Sequence, residues 1–425
     1  MNLFFYIILF LYFFLPFQFA LSPLDGFDIA IIRVFIIFTI ALFFVYNLWQ
    51  RKFFIPRGWT FGMLSAFMMW TLLSLFFTPV PAWTIRKIIF LFSFFPIVLI
   101  LVSIFRTIPN SKERMLKWTI LGAVTISAIG ILQFLLQFAL SLNSALDLWA
   151  FITPFFLGGT FSASVIAHNS WLVHVGSHDL MRAIAFFPDP HIFAFYLELI
   201  APLSLGLFFI TRQKRWILCF LIILLANFFT FSRGSYVGII GGILIGMILL
   251  WPQIKTRARH FIVLFCLSLF FLLLLPENPI TGRFLSSFDS GDTSNTHRIE
   301  LWTAALHSII ERPLVGTGLG AYAITVDPRA TYRTPIYAHN LLLDITVELG
   351  IIGLLLFFST FVILIHTLYQ NRHDYIALFA IISIGTFFSH AIFDTPLFSV
   401  HIFPILLLII SLGIYYENPP TKKQY

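Results

Sequence analysis

The sequence predicts an all-α, polytopic integral membrane protein with about twelve transmembrane helices, and two observations support this fold class. The first is composition: 59% of the 425 residues are hydrophobic and 10% are charged, with a mean hydropathy of +0.95. Charged residues normally make up about a quarter of a soluble globular domain. The second is the repeated occurrence of continuous apolar runs of spanning length, whereas a membrane β-barrel would show alternating patterns.

The apolar runs follow one another along residues 1–425, which we interpret as a single transmembrane domain. The first run has no Lys or Arg before it and is longer than the apolar part of a signal peptide, so we expect it to be retained as a span. The predicted spans lie near residues 3–22, 28–48, 59–78, 86–105, 117–141, 192–211, 215–231, 235–251, 260–276, 341–369, 375–391 and 398–416.

Basic residues between the spans predict the orientation. If the spans alternate, most of the basic clusters fall on one side, which the positive-inside rule assigns to the cytoplasm together with both termini. These clusters are Arg51, Lys52 and Arg57; Arg106, Lys112, Arg114 and Lys117; Arg212, Lys214 and Arg215; Lys255, Arg257 and Arg259; Arg372; and Lys422 and Lys423. The other side then holds two long segments, 142–191 and 277–340, which we predict to be external loops. In the second loop, the apolar spacing after Thr296 predicts a short helix with Arg298 in its first turn.

Topology does not explain the basic residues on the predicted external side. They are Arg86, Lys87, Arg182, Arg233, Arg283, Arg298, Arg312, Arg329 and Arg333. Three short stretches on that side combine an ionisable group with turn residues: TFSRGS at 230–235, THRIELW at 296–302 and YAHNLLLDITVELG at 337–350. An arginine beside an apolar span is costly unless it reaches the interface, pairs with another group or faces a wet cavity.

Each candidate can also be explained by a purely structural role. For Arg233 this role is that of an interfacial anchor, and for Arg298 it is that of a solvated or ion-paired residue on an outer helix. His339 is an interfacial imidazole satisfied by hydrogen bonds, whereas its functional interpretation is a general base near neutral pH, with the Asn340 amide orienting the ring.

Other classes of site are not indicated. The net charge of +8 is divided among short clusters between spans, which does not favour nucleic-acid binding. Both cysteines, Cys219 and Cys266, lie in apolar runs. The glycines of GTGLG at 316–320 follow no predicted strand, so we interpret them as turns after Pro313. The outer histidines match no tight spacing of metal ligands, and no metal or cofactor is expected.

The order of the three stretches resembles a known family. SRG at the end of a span, then R-x-x-x-W before PLVGTGLGAY, then AHN-x-x-L followed by E-x-G, is similar to the O-antigen ligase and polymerase superfamily of bacterial membrane glycosyltransferases. The resemblance covers about residues 182–396 and includes FPDPHIFAFYLEL at 187–199.

The resemblance implies a fold of about twelve helices, with an active site at the periplasmic face of the bacterial inner membrane. Members transfer a glycan from a polyprenyl diphosphate carrier, such as undecaprenyl diphosphate, to an acceptor hydroxyl without a nucleotide or a required metal. On this basis His339 is the catalytic residue, and the diphosphate-binding arginines are Arg233, Arg298 and, ahead of FPDP, Arg182. Asn340, Gly234 and Trp302 are supporting residues, Gly234 because it allows the donor to approach the backbone closely.

The expected function follows from these assignments. Guanidinium groups suit a diphosphate leaving group, and a neutral histidine suits removal of the acceptor proton in a single inverting displacement. We expect O-antigen ligation to lipid A-core. The alternatives within the family are a polymerase that joins repeat units to a growing glycan and a transferase to protein hydroxyls. From another class, a lipid-linked glycan flippase or secondary transporter also fits the span count, although such proteins tend to show inverted repeats, and none is evident here.

Overall fold

The computed structural model describes residues 1–24, 27–167, 170–175, 178–251, 293–332, 334 and 336–419, and these form a bundle of helices with two small β-hairpins. The predicted all-α membrane fold is confirmed. Within the described residues, seven helical segments are long and apolar enough to cross a membrane: Ile31–Gln50, Trp59–Phe76, Pro81–Thr107, Ser111–Leu140, Pro190–Thr211, Arg233–Leu250 and Leu341–Gln370. Shorter apolar helices are Asn2–Phe14, Leu142–Leu157, Arg215–Phe228, Tyr375–Ala391 and Ile402–Glu417.

We number the elements in chain order. The helices are α1 (Asn2–Phe14), α2 (Ile31–Gln50), α3 (Trp59–Leu73), α4 (Pro81–Phe94), α5 (Ile97–Thr107), α6 (Ser111–Leu140), α7 (Leu142–Leu157), α8 (Gly159–Ala167), α9 (Pro190–Thr211), α10 (Arg215–Phe228), α11 (Arg233–Leu250), α12 (Thr293–Glu311), α13 (Tyr322–Val326), α14 (Leu341–Gln370), α15 (Tyr375–Ala391) and α16 (Ile402–Glu417). A 3-10 turn, Ser74–Phe76, extends α3. The hairpins pair β1 (Ala20–Leu24) with β2 (Phe27–Ala30) and β3 (Leu172–Val175) with β4 (His178–Met181), both antiparallel.

The structure differs from the predicted spans in several places. The run at 3–22 is helical only over the 13 residues of α1, and the chain then enters the first hairpin. The run at 86–105 is divided into α4 and α5 at Pro96, which lacks the amide hydrogen that a continuous helix needs. The segment at 142–191, which is predicted to be an external loop, contains α7, α8 and the second hairpin. The run at 260–276 lies outside the described residues.

Helix α9 lies in the interior of the bundle and packs against α6, α10 and α15, while α11 packs mainly against α15. The face of α11 toward α15 carries glycines at four-residue intervals, which is the small-residue spacing that lets membrane helices approach closely. A Cβ at Gly242 would lie 2.1 Å from the Thr386 hydroxyl oxygen, so a side chain at this position would displace Thr386.

Two ends of the bundle are distinguished by their polar contacts. At one end, the connections predicted to be cytoplasmic meet: Lys112 Nζ lies 2.8 Å from Asp374 Oδ2, and the Thr60 hydroxyl donates to Glu417 Oε1 at 2.5 Å. At the other end, which we call the site end, the starts of α9, α11 and α14 lie near the connection between α15 and α16. Connections predicted to share a side of the membrane therefore do come together.

Helix α14 is kinked at Gly350, which has φ 66° and ψ −176°, a backbone conformation open almost only to glycine. The break exposes carbonyl groups of the preceding turn, and the GTGLG segment satisfies them. Thr317 N–H donates to Val347 O at 2.8 Å, and Gly318 N–H donates to Glu348 O at 2.9 Å. The glycines at 316, 318 and 320 have φ of 72°, 100° and 84°, so the prediction that GTGLG forms turns is confirmed.

We expect Gly350→Ala to destabilise the protein, because alanine is strained in this conformation by about 1–3 kcal/mol. In addition, its Cβ would lie 2.1 Å from Leu314 O. Thermal unfolding of the purified protein in detergent should show a lower Tm. The matched control is Gly62→Ala inside α3, where no atom lies within 4 Å of the added Cβ and alanine favours the helix. Equal Tm values for the two variants would contradict the prediction.

Candidate active site

His339 and Asp394 lie beside each other at the site end. His339 precedes Asn340, the cap of α14, and Asp394 follows α15; His339 Nδ1 is 3.3 Å from Asp394 Oδ1. The side chain of His339 is 33% exposed and that of Asp394 is 19% exposed, so the pair is sheltered but the imidazole reaches the surface. His339 has φ 48°, a left-handed conformation that is uncommon for histidine and that the surrounding contacts must hold.

The pairing changes the proton affinity of both groups. Burial opposes a charge on His339, but the hydrogen bond and the negative charge of Asp394 outweigh it, so the pKa of His339 is raised above its ordinary value of 6.5. Burial would raise the pKa of Asp394, but the hydrogen bond and charge of His339 lower it below the ordinary range. His339 is therefore a stronger base than a free histidine, with Nδ1 directed at a carboxylate.

The backbone before His339 is fixed by two side chains from different helices. The Trp302 indole N–H on α12 donates to Ala338 O at 2.7 Å, and the Ala338 N–H donates to Asp344 Oδ1 at 2.8 Å. Asn340 caps α14, since its Oδ1 accepts from Leu342 N–H and Leu343 N–H at 3.1 and 3.2 Å. These bonds place Asn340 at the start of the helix, and its expected role of orienting the His339 ring stays a prediction.

Asp344 also reaches the residue beside Asp394. Its Oδ2 accepts the hydroxyl hydrogen of Thr395, and the Thr395 N–H donates to Asp394 Oδ1 at 2.8 Å. The buried Asp344 carboxylate thus holds both Ala338, which precedes His339, and Thr395, which follows Asp394. This arrangement fixes the two members of the pair relative to each other.

Arg182 lies against the turn that precedes α11. Its side chain is 3% exposed, with Nε donating to Thr230 O at 2.6 Å and Nη1 donating to Ser170 O at 3.1 Å. Gln133 on α6 holds the same segment by donating to Arg182 O at 3.0 Å and accepting from Ile184 N–H at 2.8 Å. Arg182 is therefore placed beside the SRG turn and helps to define its shape.

Arg233 is the first residue of α11 and is half-buried, with Ser232 as the helix cap. The Ser232 hydroxyl oxygen lies 2.9 Å from His191 Nδ1 near the start of α9. We predicted that Gly234 gives the donor room; in the structure its open face is filled by His390, since a Cβ there would lie 2.4 Å from His390 Cδ2.

Arg298 is half-buried on α12, which starts at Thr293, so Arg298 is in the second turn and not, as predicted, in the first. The argument from free N–H groups at the helix start therefore does not apply to it. Its charge nevertheless acts on His339, where it lowers the pKa and partly offsets Asp394. His191 lies within electrostatic reach of Arg182, Arg298 and Asp394, so the predicted residues gather at one end of the bundle.

Asp189 is the helix cap of α9 and accepts from His191 N–H and Ile192 N–H, each at 2.8 Å. Burial and the nearby negative charge of Asp394 raise the pKa of Asp189 to about 6, although its helix-capping hydrogen bonds act in the opposite direction. The start of α9 therefore lies within electrostatic reach of Asp394.

The other basic residues of the predicted external side have different roles. Lys87 forms an ion pair with Glu348 at 2.9 Å, with both side chains largely buried. Arg86 lies over the Tyr332 ring, 4.8 Å from its centroid, and Arg329 is 95% exposed near Asp327. Arg283 and Arg333 lie outside the described residues.

Comparison with known proteins finds a family model that matches part of the chain. Residues 218–358 match the family model described as O-Antigen ligase, and this segment contains Arg233, Arg298 and His339. The resemblance to the O-antigen ligase superfamily is thereby confirmed. Asp394 and Arg182 lie outside the O-antigen ligase segment, yet the fold brings both to the same end of the bundle.

Two curated relatives agree with the O-antigen ligase match. A putative polysaccharide ligase of Rickettsia conorii is 37% identical over 73 residues, which are 15% of this chain and 18% of the relative. A ComP-specific O-oligosaccharyltransferase of Acinetobacter baylyi is 25% identical over 188 residues, which are 41% of this chain and 33% of the relative. The chain thus spans a third or less of the length of these relatives.

Sequence reasoning missed Asp394 and Asp344. A signal for Asp394 was present, because it stands in FDTP directly after an apolar span, on the side already predicted for His339. No pattern in the sequence indicated that Asp344, one turn into an apolar helix, faces both Ala338 and Thr395.

We expect Asp394→Asn to lower the pKa of His339, because the carboxylate that favours the imidazolium is removed while burial and Arg298 remain. NMR titration of labelled histidine in detergent, assigned with His339→Gln, should show a midpoint above 6.5 in the parent and a lower one in the variant. Asp374→Asn, at the opposite end of the bundle, is the control and should leave this titration unchanged. An identical His339 midpoint in parent and Asp394→Asn would disprove the assigned pairing.

Proposed function

We propose that the protein is a membrane glycosyltransferase that moves a glycan from an undecaprenyl-diphosphate-type carrier to an acceptor hydroxyl. We further propose that it ligates O-antigen to lipid A-core, by inversion and without a metal, at the periplasmic face of the inner membrane. The observation that carries the proposal is the His339–Asp394 pair, at 3.3 Å, within electrostatic reach of Arg298 from the O-antigen ligase segment.

The pair suits the removal of a proton from a hydroxyl. Since Nδ1 of His339 faces Asp394, Nε2 is the nitrogen directed elsewhere, and the carboxylate stabilises the imidazolium that forms. The acceptor oxygen forms a bond to the anomeric carbon as its proton passes to Nε2. The bond from the anomeric carbon to the diphosphate oxygen breaks, and the polyprenyl diphosphate leaves with the electron pair.

The arginines suit the leaving group. A diphosphate gains negative charge on the oxygen that leaves, and guanidinium groups hold phosphate oxygens through paired N–H donors. We assign this task to Arg233 and Arg298, both half-buried at the site end. Arg182 has two of its donors engaged with backbone carbonyls, so we assign it the support of the Arg233 turn together with its positive charge.

The sidedness is part of the proposal. The end of the bundle opposite the site gathers Arg57, Arg106 and Lys112 with the end of α16, as the positive-inside rule expects of a cytoplasmic face. The site end would then face the periplasm, where a lipid-linked glycan is presented after its transport across the membrane.

We expect Ala substitution of His339 to lower transfer by about 100-fold or more, since general bases contribute about that much. Ala at Arg233 or Arg298 should lower transfer by a similar order, because each removes stabilisation of the leaving group. The assay is glycan transfer in membranes of cells that make the lipid-linked donor. The matched control is Arg329→Ala, which removes an arginine that is 95% exposed and should leave transfer unchanged. Parental rates in all three site variants would refute the assignment.

A second candidate acceptor is a protein hydroxyl, and a specific observation favours it: the Acinetobacter baylyi relative is named an O-oligosaccharyltransferase.

Deleting the gene should distinguish the acceptors. For a ligase we expect loss of all O-antigen bands from lipopolysaccharide gels, with accumulation of carrier-linked polymer. A core bearing a single repeat would instead indicate a polymerase, and unchanged lipopolysaccharide with loss of a glycoprotein would indicate protein glycosylation. Transfer by the purified protein in detergent separates all of these from a flippase, which needs two compartments.

A further inference from the structure

A second polar cluster lies deeper in the bundle, and the proposed chemistry does not use it. His390 on α15 and Glu198 on α9 are in contact, with Nδ1 2.9 Å from Oε2, and their side chains are 0% and 1% exposed. Each is a single ionisable residue inside an apolar run, and no sequence motif marks it. Buried ionisable groups in membrane helices are costly and tend to serve a function.

The contacts of this pair lead to the first turn of α11 from both sides. On one side, His390 Nε2 lies 3.4 Å from the Ser232 hydroxyl oxygen. On the other side, the Asn227 side-chain amide lies 3.5 Å from Glu198 Oε1, and Asn227 Oδ1 accepts the Ser235 hydroxyl at 2.6 Å. The two contacted serines flank Arg233 and Gly234 in the sequence.

The Ser232 hydroxyl joins three helices. Its oxygen is also 2.9 Å from His191 Nδ1, so rings from α9 and α15 meet at the residue that caps α11. A hydroxyl has one hydrogen to donate, so at least one of the two rings must donate to it. The orientation of the turn is therefore specified by hydrogen bonds from both neighbouring helices.

Close packing reinforces the contacts. A Cβ at Gly234 would lie 2.4 Å from His390 Cδ2, and a Cβ at Gly238 would lie 2.8 Å from Glu198 Oε2. The His390 ring also stacks on Phe195, with centroids 3.6 Å apart and planes 6° apart. The stacking on Phe195 and the close approach of α11 restrict the ring, so its nitrogen atoms have fixed directions.

We propose that Glu198 and His390 are positioning residues that act through Ser232 to set the direction of Arg233 toward the donor diphosphate. This inference rests on the proposed function of Arg233. A guanidinium group that holds two phosphate oxygens tolerates little angular error, and small misplacements of binding groups have large effects. The buried cluster makes no contact with substrate in this proposal; it fixes the start of the helix that does.

The experiment measures binding of undecaprenyl diphosphate, the sugar-free carrier, to the purified full-length protein in detergent. His390→Phe retains an aromatic ring that can stack on Phe195 but removes the hydrogen bonds to Glu198 and Ser232. We expect the Kd for undecaprenyl diphosphate to rise by about tenfold. Ser232→Ala should have a similar effect, and Ser232→Thr, which keeps the hydroxyl, should restore binding. The matched control is Ser383→Ala on α15, a buried serine whose hydroxyl donates to Phe379 O of its own helix, and it should bind as the parent does.

The coupling to Arg233 separates positioning from a general effect on folding. In an Arg233→Lys background, His390→Phe should add little to the Kd, because the group it positions has already been changed. An equal rise in both backgrounds, or a parental Kd in His390→Phe, would overturn the inference. If His390→Phe does not fold, the Ser232→Ala and Ser232→Thr pair decides in the same way, since both leave His390 and Glu198 in place.

The same data distinguish this inference from the proposed function. If Arg233→Ala binds undecaprenyl diphosphate like the parent, the role of Arg233 fails, and the inference fails with it. If Arg233→Ala weakens binding while the His390 and Ser232 variants do not, only the inference fails.

Discussion

The structure depends on how the peptide groups of non-helical segments are hydrogen-bonded at the membrane boundary. Inside a bilayer each peptide group needs a partner, and helices supply it only within themselves. At the site end several chain segments leave helical geometry, and side chains from neighbouring helices complete their hydrogen bonds. Gln133 does so for the segment after Arg182, and Asp344 and Trp302 do so for Ala338. These bonds stabilise irregular backbone at the site end. His339 can therefore be held in a position outside a helix.

The same constraint explains why His339 is placed precisely. Its φ of 48° is unfavourable for a residue with a side chain and is maintained because the residues on either side of it are fixed. Asp344 is hydrogen-bonded both to Ala338, beside His339, and to Thr395, beside Asp394. Asp344 therefore links the two residues of the pair in addition to their direct contact. In the proposed mechanism this fixed placement means that the base needs less reorganisation during the reaction.

The similarity to other proteins and the geometry of the candidate site support different parts of the proposed function. The family match covers residues 218–358 and supports an O-antigen ligase-type protein, while Arg182 and Asp394 join the candidate site only through the fold. The named relatives include a putative polysaccharide ligase and an O-oligosaccharyltransferase, which differ in what their names say about the acceptor.

The sequence by itself determined the membrane class, the positions of most spans and the three stretches around Arg233, Arg298 and His339. It could do so because apolar run length, loop charge and local motifs are properties of neighbouring residues. It did not determine the partners of those residues, the helices within 142–191 or the start of α12 at Thr293. Asp394, Asp344 and the Glu198–His390 pair acquire their roles from contacts between distant parts of the chain. Only tertiary packing decides which helix faces meet, so only the folded structure assigns those roles.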